Sequence, residues 1–349
     1  MKQPTFSICI PNYNYEGYLG ATIESVLAQT YPHFEIIVVD NASTDKSFEV
    51  ASSYQDARIR VYRNTYNVGF APNLQIATGY ATKDFINLLS SDDIMKPEAL
   101  ETYARLIVEH AESYDDLILA SDNEVINNDD VLTGYKYFDT TALKGNWSDA
   151  KQYETYLKNA SNNTQFMGIE LLRSLAPDLN TLAGFLTIVY SRKLWERVSG
   201  YNAVRSIGPD KYFNYKLLLQ NPKTIYVNQA LFKYRFHESA NIRSYFSTLK
   251  QQVDDYLNIL DLGDTFEKKI GLNRDTLINN YLNRFCFGFS LSSIKNGRYT
   301  HAWRTFFFSL ASFPGHAVKQ KLFYINLLML LFLPFTIVLL RMLRLFKKM

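Results

Sequence analysis

Cysteine is scarce in this chain: two among 349 residues, Cys9 and Cys286, far apart and each in apolar surroundings. They form no C-x-x-C pair and no regularly spaced set, which excludes a disulfide framework and suits a reducing compartment. A dominant charge is missing too. Lys and Arg number 37 against 34 Asp and Glu, a net +3 that is too mild for a nucleic-acid footprint, so no nucleic-acid partner is expected. No G-x-G-x-x-G follows a strand-like run, and neither a Walker A lysine loop nor H-E-x-x-H occurs. The opening stretch "MKQPTFSICIPNYN" has one lysine and a short apolar run, and is not read as a signal peptide. What the chain does have is apolar mass: 47% hydrophobic residues, with 25 Tyr and 24 Phe. That is enough for a sizeable core in one large domain or two smaller ones, and the aromatics also suit a sugar-handling cleft or a membrane-facing surface.

The first 120 residues alternate strand-like and helix-like pieces, the signature of an α/β sheet with crossover helices. "TFSICIP" reads as a strand ending at Pro11, and "FEIIVVD" as a parallel strand buried on both faces. Leu19, Ile23, Val26 and Leu27 share one helical face between them. "IRVY" and "DFINLLSS" are further strands, and Pro97 suits the first turn of a helix running to about residue 112. Residues 117–121 predict another strand; from there to about 180 the chain is polar with weak periodicity, read as long loops and short helices. "GPDKYFNYKLLLQ" reads as a helix, "TIYVNQALFKYRFH" as a strand or hairpin, and residues beyond 244 as helical to about 312.

Polar residues gather where strands stop: Pro11-Asn12, Asp40-Asn41 and Ser90 to Asp93. In open α/β sheets ligands bind beyond the carboxyl ends of strands, near the switch in strand order. The stretch "NLLSSDDIMKP", residues 87–97, raises the sharpest question, because adjacent carboxylates repel and need a cation or plain exposure to water. Asp92 and Asp93 read either as holders of a divalent metal or as part of a capping turn before the Pro97 helix.

These residues carry a resemblance. "SICIPNYNYEGYLGATIESVLAQTYPHFEIIVVDNASTD", "NVGF" and "DFINLLSSDDIMKP", with "GPDKYF" and "YRFHESAN" later, resemble the family 2 glycosyltransferases of GT-A fold over residues 5–240. The resemblance implies an α/β fold with a Rossmann-like, mostly parallel sheet flanked by helices. It implies inverting transfer from a nucleoside diphosphate sugar, most often a UDP-sugar, to an acceptor hydroxyl. Mg²⁺ or Mn²⁺ would neutralise the departing diphosphate, with Asp92 as the main ligand and Asp93 beside it. By the same pattern Asp40 accepts a hydrogen bond from the base; Pro11, Tyr13 and Asn14 shape the nucleotide wall; and Asn73 sits near ribose or phosphate, with Asp92 also at the nucleotide. Asp210 matches the general base and is equally an N-terminal helix residue. His237 is a metal ligand or a structural histidine, with Arg235 adding positive charge. Asp45 reads as a helix N-terminal carboxylate as readily as a ligand. The chain departs from the pattern at Asn41, at Pro209 and at Ser90, where relatives often carry acids. Asp92, Asp93 and Asp210 together favour an enzyme over an inactive homologue that binds nucleotide or scaffolds a glycan-assembly complex.

Leu322 to Leu340 form an uncharged run flanked by Lys319 and Lys321 before it and by Arg341, Arg344, Lys347 and Lys348 after it. As a helix it is roughly 28 Å long, close to the hydrocarbon thickness of a bilayer. Basic residues on both sides, with Asn326 and Pro334 inside, favour an interfacial anchor over a span or a buried core helix. The expected plan is a GT-A domain over 1–245 (a nucleotide-binding half to 122, then an acceptor half), a helical extension over 246–318, and a membrane-associating tail over 319–349. A lipid-linked or surface-polysaccharide acceptor at the cytoplasmic face of a bacterial membrane would fit that plan.

Overall fold

The computed structural model describes residues 2–201, 209–236 and 249–333. The chain divides into two compact units, residues 1–175 with 180–237, and residues 176–179 with 238–349.

The first unit is built on one mixed sheet. Its parallel half comprises β1 (Phe6–Asn12), β2 (Phe34–Asp40), β3 (Ile59–Arg63) and β4 (Phe85–Leu88), in the spatial order β3-β2-β1-β4. All seven residues of β2 are buried, as expected of an apolar β-branched run covered on both faces. The crossover helices are α1 (Glu16–Leu27), α2 (Ser47–Ser52) and α3 (Phe70–Gly79). In α1, Leu19, Ile23 and Val26 are fully buried at helical spacing, the stripe predicted from sequence. Gly69 opens α3 at φ +92, a conformation in which a Cβ would be strained. The strand order runs from β1 outward to β3 on one side and returns to β4 on the other. The switch point therefore lies between the carboxyl ends of β1 and β4.

After β5 (Ile94–Met95) and α4 (Ala99–His110), the region read as long loops and short helices has the short helices and, in addition, strands that the reading did not expect. β6 (Leu117–Ile126) runs five residues past the expected end, followed by β7 (Leu132–Asp139), β8 (Lys144–Ser148), α5 (Ala150–Leu157), β9 (Asn163–Met167) and α6 (Gly168–Leu175). The reason is polar burial. Asp122 is fully buried in β6, its carboxylate taking hydrogen bonds from Tyr226 Oη at 2.5 Å and Tyr153 Oη at 2.8 Å. Polar positions satisfied in this way break the hydrophobic alternation by which a strand is recognised.

β10 (Val189–Ser191) lies antiparallel between β4 and β6, and is followed by α7 (Arg192–Arg197) and α8 (Pro209–Leu218). β11 (Lys223–Arg235) is one long strand, not a hairpin, parallel to β6 and bent by register shifts between Val227 and Phe232.

The second unit is helical: α9 (Lys250–Ile270), α10 (Arg274–Tyr281), a π-helical turn (Leu282–Phe287), α11 (Gly288–Lys295), α12 (Tyr299–Ser312), α13 (Pro314–Ala317) and α14 (Lys321–Leu331). Phe287, Phe306 and Phe323 pack ring on ring, with centroids 5.2–6.2 Å apart. Asn326 is buried and donates to the carbonyls of Phe287 and Leu322, so the polar interruption seen in the tail is an interior hydrogen-bonding residue. Tyr324, Ile325, Leu328, Leu331 and Phe332 remain exposed. Among the described residues no helix is long and apolar enough to cross a membrane. Residues 334–340 of the apolar run lie outside the described residues.

Candidate functional site

The parallel register sets Asn12, the last residue of β1, beside Asp40, the last of β2. Asn12 Nδ2 donates to Asp40 Oδ1 at 3.0 Å, and the Ser43 backbone N–H donates to Oδ2 at 3.0 Å. Arg63 Nε lies 3.3 Å from the same Oδ2. A carboxylate offers about four acceptor sites, so this one is oriented by three donors with one site to spare. Asn12 Oδ1 is buried and has no hydrogen-bond partner. Around this pair, Asn14 adopts φ +58 and ties the two strand ends together: its N–H donates to Ser43 Oγ at 2.9 Å, and its Oδ1 accepts from the Thr44 N–H at 2.8 Å. Tyr13 and Asn14 are exposed and Pro11 half-buried, which puts them at the rim of the cradle.

Asn73 is elsewhere in the network. It is buried, with Oδ1 accepting from Asn64 Nδ2 and Nδ2 donating to the Val39 carbonyl. Asn41 joins the same set through Asn64 and Asn67, so the residue standing where relatives often carry an acid works here as a loop-fixing amide. Asp45 accepts from the first N–H of α1, at Glu16, and from the first N–H of α2, at Ser47, both at 3.0 Å. It serves two helix starts at once, the structural role considered for it from sequence.

The second cluster is the acid turn beyond β4. Asp92 is half-buried and Asp93 almost wholly buried. Burial first, and then the neighbouring Asp92 charge, push the Asp93 carboxyl well above the usual carboxylate range. A hydrogen bond from the Arg235 N–H, another from the Ser90 hydroxyl and the field of Lys136 oppose that rise. Ser90 thus has a definite part: its hydroxyl supports the neighbouring carboxylate where a third acid would have repelled it.

Arg235, at the end of β11, was expected to add positive charge and does something more specific. Its N–H donates to Asp93 Oδ1 at 2.8 Å and its Nε to the Asp92 carbonyl at 2.9 Å. The buried guanidinium also reaches the Asn127 carbonyl and Asp130, and stacks 4.9 Å over Tyr18 of α1. It is a clamp on the acid turn. Lys136 of β7 is a cation that sequence reading missed. Its Nζ lies 3.6 Å from the Tyr234 ring centroid and 4.0 Å from that of Trp147, its direct cross-strand neighbour on β8. Burial pushes its ammonium down to about 8, and Asp93 acts in the opposite direction. Only the parallel register and the β6–β7–β8 meander bring it there.

Asp210 stands in the first turn of α8, half-buried, where its charge contributes to raising Tyr201 above the ordinary tyrosine range, after burial as the main cause. His237 lies outside the described residues. The donor set at the acid turn is two adjacent carboxylates, one of them buried. Mg²⁺ and Mn²⁺ are commonly held by one or two carboxylates together with substrate phosphates, so this set fits such an ion. Among the described residues no group of three or more His, Cys, Asp or Glu forms a self-sufficient metal cage.

Residues 7–162 match the family model "Glycosyl transferase family 2". The chain is 25% identical over 277 residues to Glycosyltransferase GlyA of Streptococcus pneumoniae, covering 78% of this chain and 37% of GlyA, so it spans little more than a third of that relative. It is 28% identical over 250 residues to the Escherichia coli UDP-Glc:alpha-D-GlcNAc-diphosphoundecaprenol beta-1,3-glucosyltransferase WfgD, covering 71% of this chain and 83% of WfgD. In fold it is similar to S. aureus TarS 1–349, solved in complex with UDP-GlcNAc, at a TM-score of 0.56 and 16% identity over 90% of each chain. Over residues 7–162, less than half of its length, the chain resembles glycosyl transferase family 2.

Proposed function

We propose that this protein transfers a sugar from a nucleoside diphosphate sugar, a UDP-sugar by preference, to a hydroxyl of a lipid-linked or surface-polysaccharide glycan. The observation that carries the reading is the convergence of the Asn12–Asp40 cradle and the Asp92–Asp93 turn at the carboxyl ends of β1, β2 and β4. The remaining acceptor site of Asp40 and the unpartnered Asn12 Oδ1 suit the N–H of a nucleobase, with Tyr13 and Asn14 at its rim. Asp92, with Asp93 beside it, would hold Mg²⁺ or Mn²⁺, which supplies charge neutralisation for the departing diphosphate. Arg235 fixes the turn that presents these carboxylates. Asp210 takes the acceptor proton as the new bond forms, a task within reach of a carboxylate because the hydroxyl becomes acidic only in the transition state. Inversion at the anomeric carbon follows from the family resemblance. WfgD, by its name, acts on a diphosphoundecaprenol-linked sugar, and the exposed apolar side chains of α14 suit a chain that works at a membrane surface.

The test is metal-dependent turnover of UDP-, GDP- and dTDP-sugars, with Asp92→Ala and Asp210→Ala as controls. Release of UDP from a UDP-sugar that both substitutions abolish is the expected result. Unaltered nucleotide binding with no turnover of any donor would favour a scaffold in place of an enzyme. Flotation with anionic vesicles, with and without residues 320–349, tests the membrane reading separately.

A further inference from the structure

Beside the acid turn lies a second cleft. It has a volume of about 400 Å³ and is lined by Val125, Gly134, Trp147, Asp149, Gln152 and Phe236 among others. Trp147 is 60% exposed and Phe236 43%, unusual for side chains of this size on a sheet. The indole is nonetheless held in place: Lys136 sits over its ring, and Tyr234 and Phe236 meet it edge-on at 6.5 and 6.3 Å. A large aromatic face fixed on one side and open on the other is a stacking platform. Its flanks carry hydrogen-bonding groups: Asp149 and Gln152 at the start of α5, and Ser148, whose hydroxyl has no hydrogen-bond partner. An apolar face edged by a carboxylate, an amide and a hydroxyl matches a pyranose ring, which is apolar on one face and rimmed with hydroxyls.

The cleft also adjoins the donor side. β11 passes directly from one to the other, since Arg235 donates to Asp93 while Tyr234 and Phe236, on either side of it, meet Trp147. Asp93 and Asp92 both raise the Tyr234 hydroxyl, after burial as the main cause. Gly134 permits the close pairing that forms the cleft, because a Cβ there would meet the Ser148 carbonyl oxygen at 2.7 Å. We infer that this cleft is a binding subsite for a sugar ring of the acceptor glycan, with Trp147 as the stacking residue. The inference rests on the glycosyltransferase reading for the word acceptor, and on the cleft alone for the word sugar.

The experiment uses the full chain carrying Trp195→Phe and Trp303→Phe, which leaves Trp147 as the single tryptophan. The methyl β-glycosides of glucose, galactose and N-acetylglucosamine are titrated to tens of millimolar, with glycerol as the control. A saturable change in indole emission with at least one glycoside, absent with glycerol, is expected. Binding of that glycoside, followed by saturation-transfer NMR, should be lost in Trp147→Ala and kept within a few-fold in Trp147→Phe. No saturable response to any of the three, or NMR binding that survives Trp147→Ala, overturns the proposal. UDP binding with Mn²⁺, measured by calorimetry on the same proteins, separates the two readings. Glycoside binding without UDP binding would leave the subsite standing and remove the nucleotide-sugar function, and UDP binding without glycoside binding would do the reverse. Loss of both in Trp147→Ala, with Trp147→Phe unable to restore the glycoside, would reduce Trp147 to a structural residue.

Discussion

Arg235 donates its backbone N–H to Asp93 Oδ1 at 2.8 Å, a bond that spans 142 positions of sequence and pins the end of β11 to the acid turn. The side chain of the same residue holds the turn's own backbone through the Asp92 carbonyl. Asp130 is 70% exposed, so the ion pair with it contributes little. The part-buried carbonyls of Asp92 and Asn127 matter more. Arg235→Ala should cost roughly 2–3 kcal/mol, read as a lower denaturant midpoint, because those carbonyls lose a charged donor. Arg235→Lys should recover only part of this, since an ammonium does not reproduce the planar fork. A midpoint unchanged by the alanine substitution would show that the clamp is not stabilising.

Ser90 hydrogen-bonds the Asp93 carboxylate and favours its ionised form. Ser90→Ala should weaken Mn²⁺ binding in the presence of UDP about fivefold, corresponding to one hydrogen bond of about 1 kcal/mol. Titration of the two proteins with Mn²⁺, followed by electron paramagnetic resonance, gives the comparison. Equal affinities would leave Ser90 as a turn residue only.

Asp210→Asn keeps the shape of the first turn of α8 and removes the base. Turnover should fall roughly 10²–10⁴-fold, while the affinity for UDP with Mn²⁺ stays within twofold. A parallel loss of UDP binding would place Asp210 in the nucleotide site and not at the acceptor.

Asp122 provides a pH test remote from any metal. Burial pushes its carboxyl from 3.8 up to about 7, with the bonds from Tyr226 and Tyr153 opposing the rise. A raised acid favours the folded state fully below its unfolded pKa, and that contribution disappears as pH climbs toward the folded value. Stability at pH 4 should therefore exceed that at pH 7 by a few kcal/mol from this group alone, because each tenfold change in an acid's dissociation constant is about 1.4 kcal/mol. Asp122→Asn, permanently neutral, should flatten the dependence between about pH 4 and 7 relative to the parent. Identical slopes in urea denaturation across that window would refute it.

The residues of the parallel half were legible from sequence because their burial is one-dimensional. The near-continuous apolar run in "FEIIVVD" and an i, i+4, i+7 stripe in α1 report a strand covered on both faces and an amphipathic helix without knowledge of any partner. The same local grammar marked Asp40, Asp92 and Asp93 as strand-end acids. It stopped short in the second half of β6 and missed β7 and β8, where Asp122 and its tyrosines replace apolar contact by hydrogen bonds between residues as much as 104 positions apart.

The sequence by itself determined that this chain builds a Rossmann-like α/β unit with polar residues at the ends of its strands, because hydrophobic period and punctuation are local properties. Only the tertiary structure decided what each polar residue does. It made Asn12 the orienting partner of Asp40, Asn73 an interior amide, Arg235 a clamp and Lys136 the cation between Trp147 and Tyr234. Those roles depend on strand register and on which buried donor meets which acceptor, and both are settled only when distant segments pair.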